Sequence, residues 1–135
     1  MSRRILLIDD DEAIGEVTRA TLEILAGWTV TIAASGVEGI ALAAAERPDA
    51  ILLDVMMPDM DGPQTLKELQ TNARTVDIPV VFLTAKIQAA DIRRFRTLGA
   101  KGVIAKPYDP SRLAGEVADL LGWETGRGEV TAQEG

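Results

Sequence analysis

The sequence predicts an α/β fold in which a doubly wound parallel sheet of five strands carries helices on both faces. Short apolar runs alternate with amphipathic stretches along the chain, which is the pattern of consecutive strand and helix units. Four of the five apolar runs contain almost no polar residue, as expected for strands that are buried on both faces. The fold class therefore follows from hydrophobic periodicity alone.

Each apolar run is assigned to one strand. The predicted strands are Ile5–Ile8, Thr29–Ala33, Ala50–Leu53, Pro79–Leu83 and Gly102–Ala105. The second run alternates polar and apolar residues, so it is predicted to lie at an edge of the sheet.

End signals mark where the predicted helices begin and end. The opening signals are the capping box Ser35–Glu38 and the dipeptides Gly62-Pro63 and Asp109-Pro110. The closing signals are Gly27 for the first helix and Gly99 for the fourth, since glycine readily adopts the left-handed conformation that ends helices.

Apolar stripes predict which helix faces pack against the sheet. The first helix is predicted to bury Ile14, Val17, Thr21 and Leu25. The stripes of the third, fourth and fifth helices are Leu66 and Leu69; Ile92, Phe95 and Leu98; and Leu113, Val117, Leu120 and Leu121. These residues are explained as core, so none of them requires a cofactor.

The length of the chain suits one domain. With 135 residues, of which 47% are hydrophobic, it can form one proper core and no second one. Residues 1–121 are predicted to form this domain. From Gly122 the composition becomes polar and glycine-rich, so residues 122–135 are predicted to be a flexible C-terminal tail, with Trp123 packing on the last helix.

The composition excludes several function classes. There is no cysteine and no histidine, which removes disulfides, thiolate and imidazole catalysis, and a phosphohistidine on this chain. A net charge of −7 argues against general affinity for nucleic acid or anionic lipid.

A local cluster of positive charge is formed by Arg93, Arg94 and Arg96. It is interpreted first as a solvated helix face and second as a docking patch for an acidic partner. No membrane-length run or signal peptide is evident, so a cytoplasmic protein is expected.

Polar residues directly follow four of the predicted strands: Asp9 and Asp10, Asp54, Thr84, and Lys106. Because the carboxyl ends of parallel strands meet at one edge of a sheet, these residues are expected to form one site. Three clustered carboxylates repel each other, so the set suits a hard dication such as Mg²⁺. Asp54 is the predicted nucleophile towards phosphorus, and Thr84 and Lys106 are predicted to bind phosphoryl oxygens.

The motifs around these residues resemble the receiver domain of bacterial two-component response regulators, the CheY-like family. The matching segments are Leu7–Asp11, Leu52–Gly62, Ile78–Ala85 and Gly99–Tyr108, within a match from about Arg4 to Leu121. The resemblance implies a flavodoxin-like sheet of strand order 2-1-3-4-5 with five helices.

The resemblance also implies a chemistry for each site residue. Asp54 would accept a phosphoryl group from the phosphohistidine of a histidine kinase or phosphotransfer protein. Mg²⁺ would be held by Asp10, Asp54, the backbone carbonyl of Met56 and, mostly through water, Asp9. Thr84 and Lys106 would bind the phosphoryl group, and a cis bond is expected at Lys106-Pro107.

The family signals by drawing the threonine hydroxyl, here that of Thr84, to the phosphate while an aromatic residue of the last strand fills the vacated space. Val103 occupies that aromatic position, so we predict a switch that is muted or works through backbone movement. Its output would be a contact with a downstream protein through the fourth helix, fifth strand and fifth helix. Met56 and Lys86 occupy two positions that tune the lifetime of the acyl phosphate in the family.

Taken singly, the site residues have ordinary explanations. Asp11 and Glu12 are assigned to the N-cap and first turn of the first helix, whose dipole favours acidic residues there. Lys106 alone could be a surface lysine and Thr84 a helix cap. Their joint placement after separate strands favours a site.

A calcium loop is a weak alternative. Asp59, Asp61, Gly62 and Glu68 match four positions of the EF-hand pattern. The first position would be Met57, which offers no suitable ligand, so the match is attributed to turn chemistry.

Three other function classes agree less well with the sequence than a receiver does. A phosphohydrolase of the haloacid dehalogenase type needs a second aspartate two residues after the nucleophile, where Met56 stands. A dinucleotide-binding protein needs a glycine fingerprint after the first strand, which is missing. A purely structural interaction module is compatible with the fold but leaves the three carboxylates unexplained.

The expected function is that of a stand-alone response regulator, not an enzyme beyond its own Mg²⁺-dependent phosphorylation and autodephosphorylation, with no direct binding to nucleic acid or membrane. The alternatives are a receiver that belongs to a longer regulator or hybrid kinase, and a non-phosphorylated interaction module.

Overall fold

The computed structural model describes residues 2–123 and shows a parallel sheet covered by helices on both faces. The elements are β1 (Arg4–Ile8), α1 (Glu12–Ala26), β2 (Thr29–Ala33), α2 (Gly36–Glu46), β3 (Ala50–Asp54), α3 (Gly62–Gln70), β4 (Val80–Thr84), α4 (Ala89–Leu98), β5 (Gly102–Ala105) and α5 (Pro110–Leu121). The strand order is β2-β1-β3-β4-β5, and every neighbouring pair is parallel. The predicted fold class and strand order are confirmed.

The sheet separates two hydrophobic cores. The side chains of each strand alternate between them, because successive residues of a strand point to opposite faces. Leu6, Leu53 and Phe82 face the core that α2, α3 and α4 cover. Leu7 and Leu52 face the core that α1 and α5 cover. The inner strands are therefore buried on both sides, as their apolar sequences predict.

The helix ends follow the predicted signals. Ser35 and Asp109 are N-caps whose side chains accept from the backbone, and Gly27 and Gly99 are left-handed C-caps. Asp61 caps α3 and forms a full capping box. The second half of the predicted box at α2 differs, because the Glu38 carboxylate accepts from the amide of Ala34 and not from that of Ser35.

The predicted inward face of α1 is wrong. The helix buries Gly15, Thr18 and Leu22, whereas Val17 is 57% exposed and Leu25 is 52% exposed. The apolar stripe selects the face next to the buried one, because the predicted positions differ by one residue from the buried positions. The true face is set by packing: a side chain on Gly15 would already contact Ile32 at 3.5 Å, and the Thr18 hydroxyl has a hydrogen-bond partner inside the protein.

Leu98 is a second correction of the same kind. It was predicted to face inward but is 41% exposed. Helix α4 ends there at the Gly99 C-cap, and Phe95 and Ala100 occupy the core on either side of it.

Trp123 marks the end of the described chain. Its ring packs edge-on against Trp28, with centroids 5.7 Å apart, and the Arg3 guanidinium lies 4.2 Å above it. Most of the predicted tail, residues 124–135, lies outside the described residues. Within the described part, no helix has both the length and the apolar character needed to cross a membrane.

Two leucine substitutions in α1 distinguish the predicted face from the observed one. Leu22→Ala removes a fully buried side chain and is expected to lower the free energy of unfolding by about 2–5 kcal/mol. Leu25→Ala, the matched control, is expected to change it by less than about 0.5 kcal/mol. Urea unfolding followed by circular dichroism measures both values. Equal losses for the two variants would restore the face predicted from the apolar stripe.

Candidate functional site

The register of the sheet brings the predicted site residues to one edge. Ile8 pairs with Leu53, so Asp9 and Asp54 leave neighbouring strands at the same level. Thr84 pairs with Ala105, so Lys106 follows directly beside it. Because all strands are parallel, these carboxyl ends share one crevice.

Asp9, Asp10 and Asp54 form a cluster of three carboxylates. One oxygen from each lies within 4.8 Å of the others, which is close enough to share one ion. Asp9 and Asp54 are almost fully buried, while Asp10 is exposed. An all-oxygen donor set that is open to water on one side fits Mg²⁺, which keeps several of its water ligands when protein-bound.

Lys106 supplies the positive charge of the site. Its Nζ lies 3.3 Å from Asp9 Oδ2 and 3.5 Å from Asp54 Oδ1. Burial lowers the pKa of Lys106, but the attraction of Asp9 and Asp54 and hydrogen bonds to both outweigh it, so its pKa is raised. The ammonium therefore stays charged. The Lys106-Pro107 bond is cis, as the family resemblance implied.

The surroundings of Asp54 raise the pKa of its carboxyl group. Burial is the main cause and repulsion from Asp9 adds to it, while Lys106 and the Met56 amide oppose both. The pKa of Asp54 rises from 3.8 to about 6. A carboxylate whose charge is costly to hold is stabilised by a nearby cation.

Thr84 is buried beside this cluster. Its hydroxyl oxygen accepts a hydrogen bond from the Lys86 amide at 3.0 Å, within its own loop. Its carbonyl accepts from the Lys106 amide at 2.9 Å. Thr84 thus contacts the backbone of the loop after β4 and of the loop after β5.

The loop after β3 lies close to Asp54. The Met56 amide donates to Asp54 Oδ1 at 3.4 Å, and the Met56 side chain is 65% exposed. Gly62 lets the start of α3 approach, since a Cβ there would lie 2.8 Å from Val55 Cα and 3.0 Å from the Asp54 carbonyl oxygen. The exposed Met56 and Lys86 flank the crevice from two loops.

Two aspartates that matched the EF-hand pattern, Asp59 and Asp61, have structural roles in the turn before α3. Asp61 accepts from the Gln64 amide as the N-cap of α3. Asp59 adopts a left-handed backbone conformation with φ of 70° in the loop before it. Both roles agree with the turn chemistry to which the match was attributed.

One contact near the site was missed by sequence reasoning. The hydroxyls of Thr18 and Tyr108 share a hydrogen bond of 2.8 Å. The only signal in the sequence was the position of Tyr108 two residues after Lys106. Thr18 gave none, because the apolar stripe assigned the wrong face of α1 to the core.

Comparison with known proteins decides the family. The family model described as "Response regulator receiver domain" matches residues 5–118. The chain belongs to this family. As a receiver domain it is 42% identical over 118 residues to the DNA-binding dual master transcriptional regulator RpaA of Synechocystis sp., covering 87% of this chain and 48% of that protein. It is 37% identical over 121 residues to the response regulator MprA of Mycobacterium ulcerans, covering 90% of this chain and 51% of that protein.

Solved structures place the receiver among CheY-like proteins. The chemotaxis response regulator CheY4 of Vibrio cholerae superposes with a TM-score of 0.82 at 29% identity, covering 89% of this chain and 99% of that one. The receiver domain of the sensor histidine kinase PA1611 of Pseudomonas aeruginosa, solved with a magnesium ion in its active site cleft, gives 0.78 at 29% identity, covering 90% and 99%. The chain spans about half the length of the curated relatives it matches.

The raised pKa of Asp54 predicts a pH-dependent cost in stability. Below the ordinary pKa of 3.8 the Asp54 carboxyl is protonated in both the folded and the unfolded state, so its ionisation contributes nothing to the free energy of unfolding. As pH rises to about 6, ionisation favours the unfolded state, because the folded site holds the proton more tightly. Without divalent metal, Asp54→Asn should therefore be more stable than wild type by about 1–3 kcal/mol at pH 7 and equal to it at pH 3.5.

Urea unfolding with a chelator across this pH range measures the difference. Asp59→Asn is the matched control, because it removes an exposed carboxylate from the adjacent loop. A constant offset between Asp54→Asn and wild type from pH 3.5 to 7 would show that Asp54 ionises normally.

Proposed function

We propose that this receiver accepts a phosphoryl group on Asp54 from a partner's phosphohistidine and later loses it to water. The observation that carries the proposal is the buried Asp54 carboxylate beside two further carboxylates and one ammonium. These 135 residues cannot supply the phosphohistidine themselves, because they contain no histidine. We assign that role to a histidine kinase or a phosphotransfer protein.

The transfer is a displacement at phosphorus. A carboxylate oxygen of Asp54 attacks, an O–P bond forms, and the N–P bond of the donor breaks. The electron pair of that bond returns to the imidazole nitrogen. The signal ends when a water oxygen attacks the same phosphorus and the bond between phosphorus and the Asp54 oxygen breaks. Inorganic phosphate leaves with the protons of that water, and Asp54 is again a carboxylate.

Each neighbouring residue has a part in this chemistry. Asp9, Asp10, Asp54 and the Met56 carbonyl would hold Mg²⁺, which offsets negative charge on the phosphoryl oxygens when bound. Lys106 already lies 3.5 Å from Asp54 and would contact one phosphoryl oxygen as a compact charge. Thr84 would donate its hydroxyl to another oxygen. Met56 and Lys86 flank the approach of water, so they would set the lifetime of the acyl phosphate.

The proposed cycle changes the phosphorylation state of the protein itself and converts no separate substrate. We propose that the protein is not an enzyme beyond its own phosphorylation and dephosphorylation. We propose that the output is a contact with a downstream protein through α4, β5 and α5. The exposed Arg93, Arg94 and Arg96 of α4 would favour an acidic partner surface.

Two settings for this output have support. We propose first the setting expected from the sequence, in which the receiver acts on a separate protein. The second candidate is the receiver of a longer regulator, because RpaA and MprA are about twice as long and RpaA is described as DNA-binding. The mass of the protein in its native cells, detected with an antibody against the receiver, separates the two.

Intact-mass spectrometry tests the phosphoryl transfer. Incubation with acetyl phosphate and Mg²⁺ should add one phosphoryl group to wild type, because the donor then needs no kinase. No adduct is expected for Asp54→Asn or when Mg²⁺ is chelated.

The control for a general loss of acidity is Asp59→Asn, which should be phosphorylated like wild type because Asp59 lies outside the carboxylate cluster. A wild-type protein without adduct would leave a binding module as the better explanation. An adduct that persists in Asp54→Asn would place the acceptor elsewhere.

The Lys86 amide should report the switch. It donates to the Thr84 hydroxyl, so it loses this bond if the hydroxyl turns to a phosphoryl oxygen. On adding beryllofluoride to the Mg²⁺ form, the amide signal of Lys86 should move strongly in ¹H–¹⁵N spectra. Val103 should move less, since it is no aromatic residue and packs against the core on the α4 side.

Spectra with Mg²⁺ alone provide the reference for this comparison. If the spectra of α4, β5, α5 and the Lys86 amide stay the same with beryllofluoride, the receiver has no switch on this face.

A further inference from the structure

A hydrogen bond between one buried and one half-buried hydroxyl group links α1 to the loop that carries Lys106. Thr18 Oγ1 and Tyr108 Oη are 2.8 Å apart, although the residues are 90 positions apart in sequence. Thr18 is fully buried, and Tyr108 packs against the core that α1 and α5 cover. Such a bond is a specific cross-link between two elements, unlike the apolar contacts around it.

Both ends of this bond lead directly to the site. Helix α1 begins after the acidic segment, and the amide of its N-cap Asp11 donates to Asp9 Oδ1 at 2.9 Å. Tyr108 follows Lys106 by two residues, and Lys106 Nζ lies 3.3 Å from Asp9 Oδ2. The chain therefore closes a ring that runs from Asp9 along α1, across the two hydroxyls, and back through Lys106 to Asp9.

We propose that Thr18 and Tyr108 are positioning residues that hold the Lys106 ammonium in place against Asp54. The inference rests on the proposed phosphoryl transfer at that carboxylate. Neither hydroxyl touches the reacting atoms, so both act through Lys106.

Lys106 needs such support. Its side chain is a flexible four-carbon stem that ends in a compact charge, and nothing in its covalent structure fixes the ammonium. One side of its backbone is anchored, because the Lys106 amide donates to the Thr84 carbonyl at 2.9 Å. The hydroxyl bond of Tyr108 anchors the other side. Small displacements of a charged group weaken its effect on a transfer reaction strongly, so this second anchor matters for rate.

The Tyr108 hydroxyl is suited to a permanent bond. Burial raises the pKa of Tyr108, while the hydrogen bond to Thr18 lowers it in part. The phenol is protonated at neutral pH, as in an ordinary tyrosine, so it can share a hydrogen bond with the Thr18 hydroxyl. The cross-link is therefore present throughout the working range of the site.

Paired substitutions separate positioning from mere stability. Tyr108→Phe and Thr18→Val each leave one hydroxyl without its partner, so both should lose stability. The double variant contains neither hydroxyl and so leaves no unpaired polar group, which should restore much of that stability. Under the proposal it regains no rate, because Lys106 still lacks its anchor.

The measurements are the rate of phosphorylation by acetyl phosphate at saturating Mg²⁺ and the affinity for Mg²⁺ by calorimetry. All three variants should react about three- to tenfold more slowly than wild type. Their Mg²⁺ affinity should stay within about twofold, since the three carboxylates are untouched. Thr75→Val is the matched control: it removes a buried hydroxyl that donates to the Leu69 carbonyl at 2.6 Å, and it should lose stability without losing rate.

Three outcomes overturn the inference. An unchanged rate in Tyr108→Phe shows that Lys106 needs no anchor, and a double variant that regains both stability and rate shows a purely structural bond. A wild type that forms no adduct overturns the proposed function and this inference with it, whereas the first two outcomes leave the proposed function intact.

Discussion

The site depends on one ammonium placed between two buried carboxylates. Asp9 and Asp54 end adjacent strands with almost no access to water, and Lys106 lies within 3.5 Å of both. Buried charges of one sign are costly, and a single partner offsets that cost only in part. The part of this cost that is not offset raises the pKa of Asp54, through burial first and repulsion from Asp9 second. The same imbalance makes the crevice receptive to a dication, whose charge would in turn offset that of a phosphoryl group.

The fold supplies this arrangement through the parallel sheet. Only parallel strands bring their carboxyl ends to one edge, so residues separated by up to 97 positions, such as Asp9 and Lys106, can meet there. The loops complete the crevice at close range. Gly62 allows the start of α3 to pass close to the Asp54 backbone. Thr84 is hydrogen-bonded to its own loop through the Lys86 amide and to the loop after β5 through the Lys106 amide. The site is thus buried where the strands end, at Asp9 and Asp54, and exposed at Asp10.

The helices on the α1 side have a share in the site as well as in the core. Helix α1 presents a small and partly polar face to the sheet, with Gly15 for close approach and Thr18 for a hydrogen bond to Tyr108. This choice leaves Val17 and Leu25 in solvent. Stability alone would favour burying them, so the helix orientation reflects packing and polar satisfaction together. It also couples α1 to the segment of Lys106, which an apolar face would leave independent.

The sequence by itself determined the element order, most of the helix caps and the positions of the polar residues that follow the strands. These features are local: apolar runs, capping side chains and the polar residue after each strand are visible within a few positions. The family motifs added the strand order. Tertiary structure alone decided the face of α1, the Thr18 and Tyr108 bond, and the ion-pair distances of Lys106. Those depend on which surfaces meet across the sheet, and a helix with two plausible stripes, such as α1, is assigned only by the shape and polar groups of its neighbours.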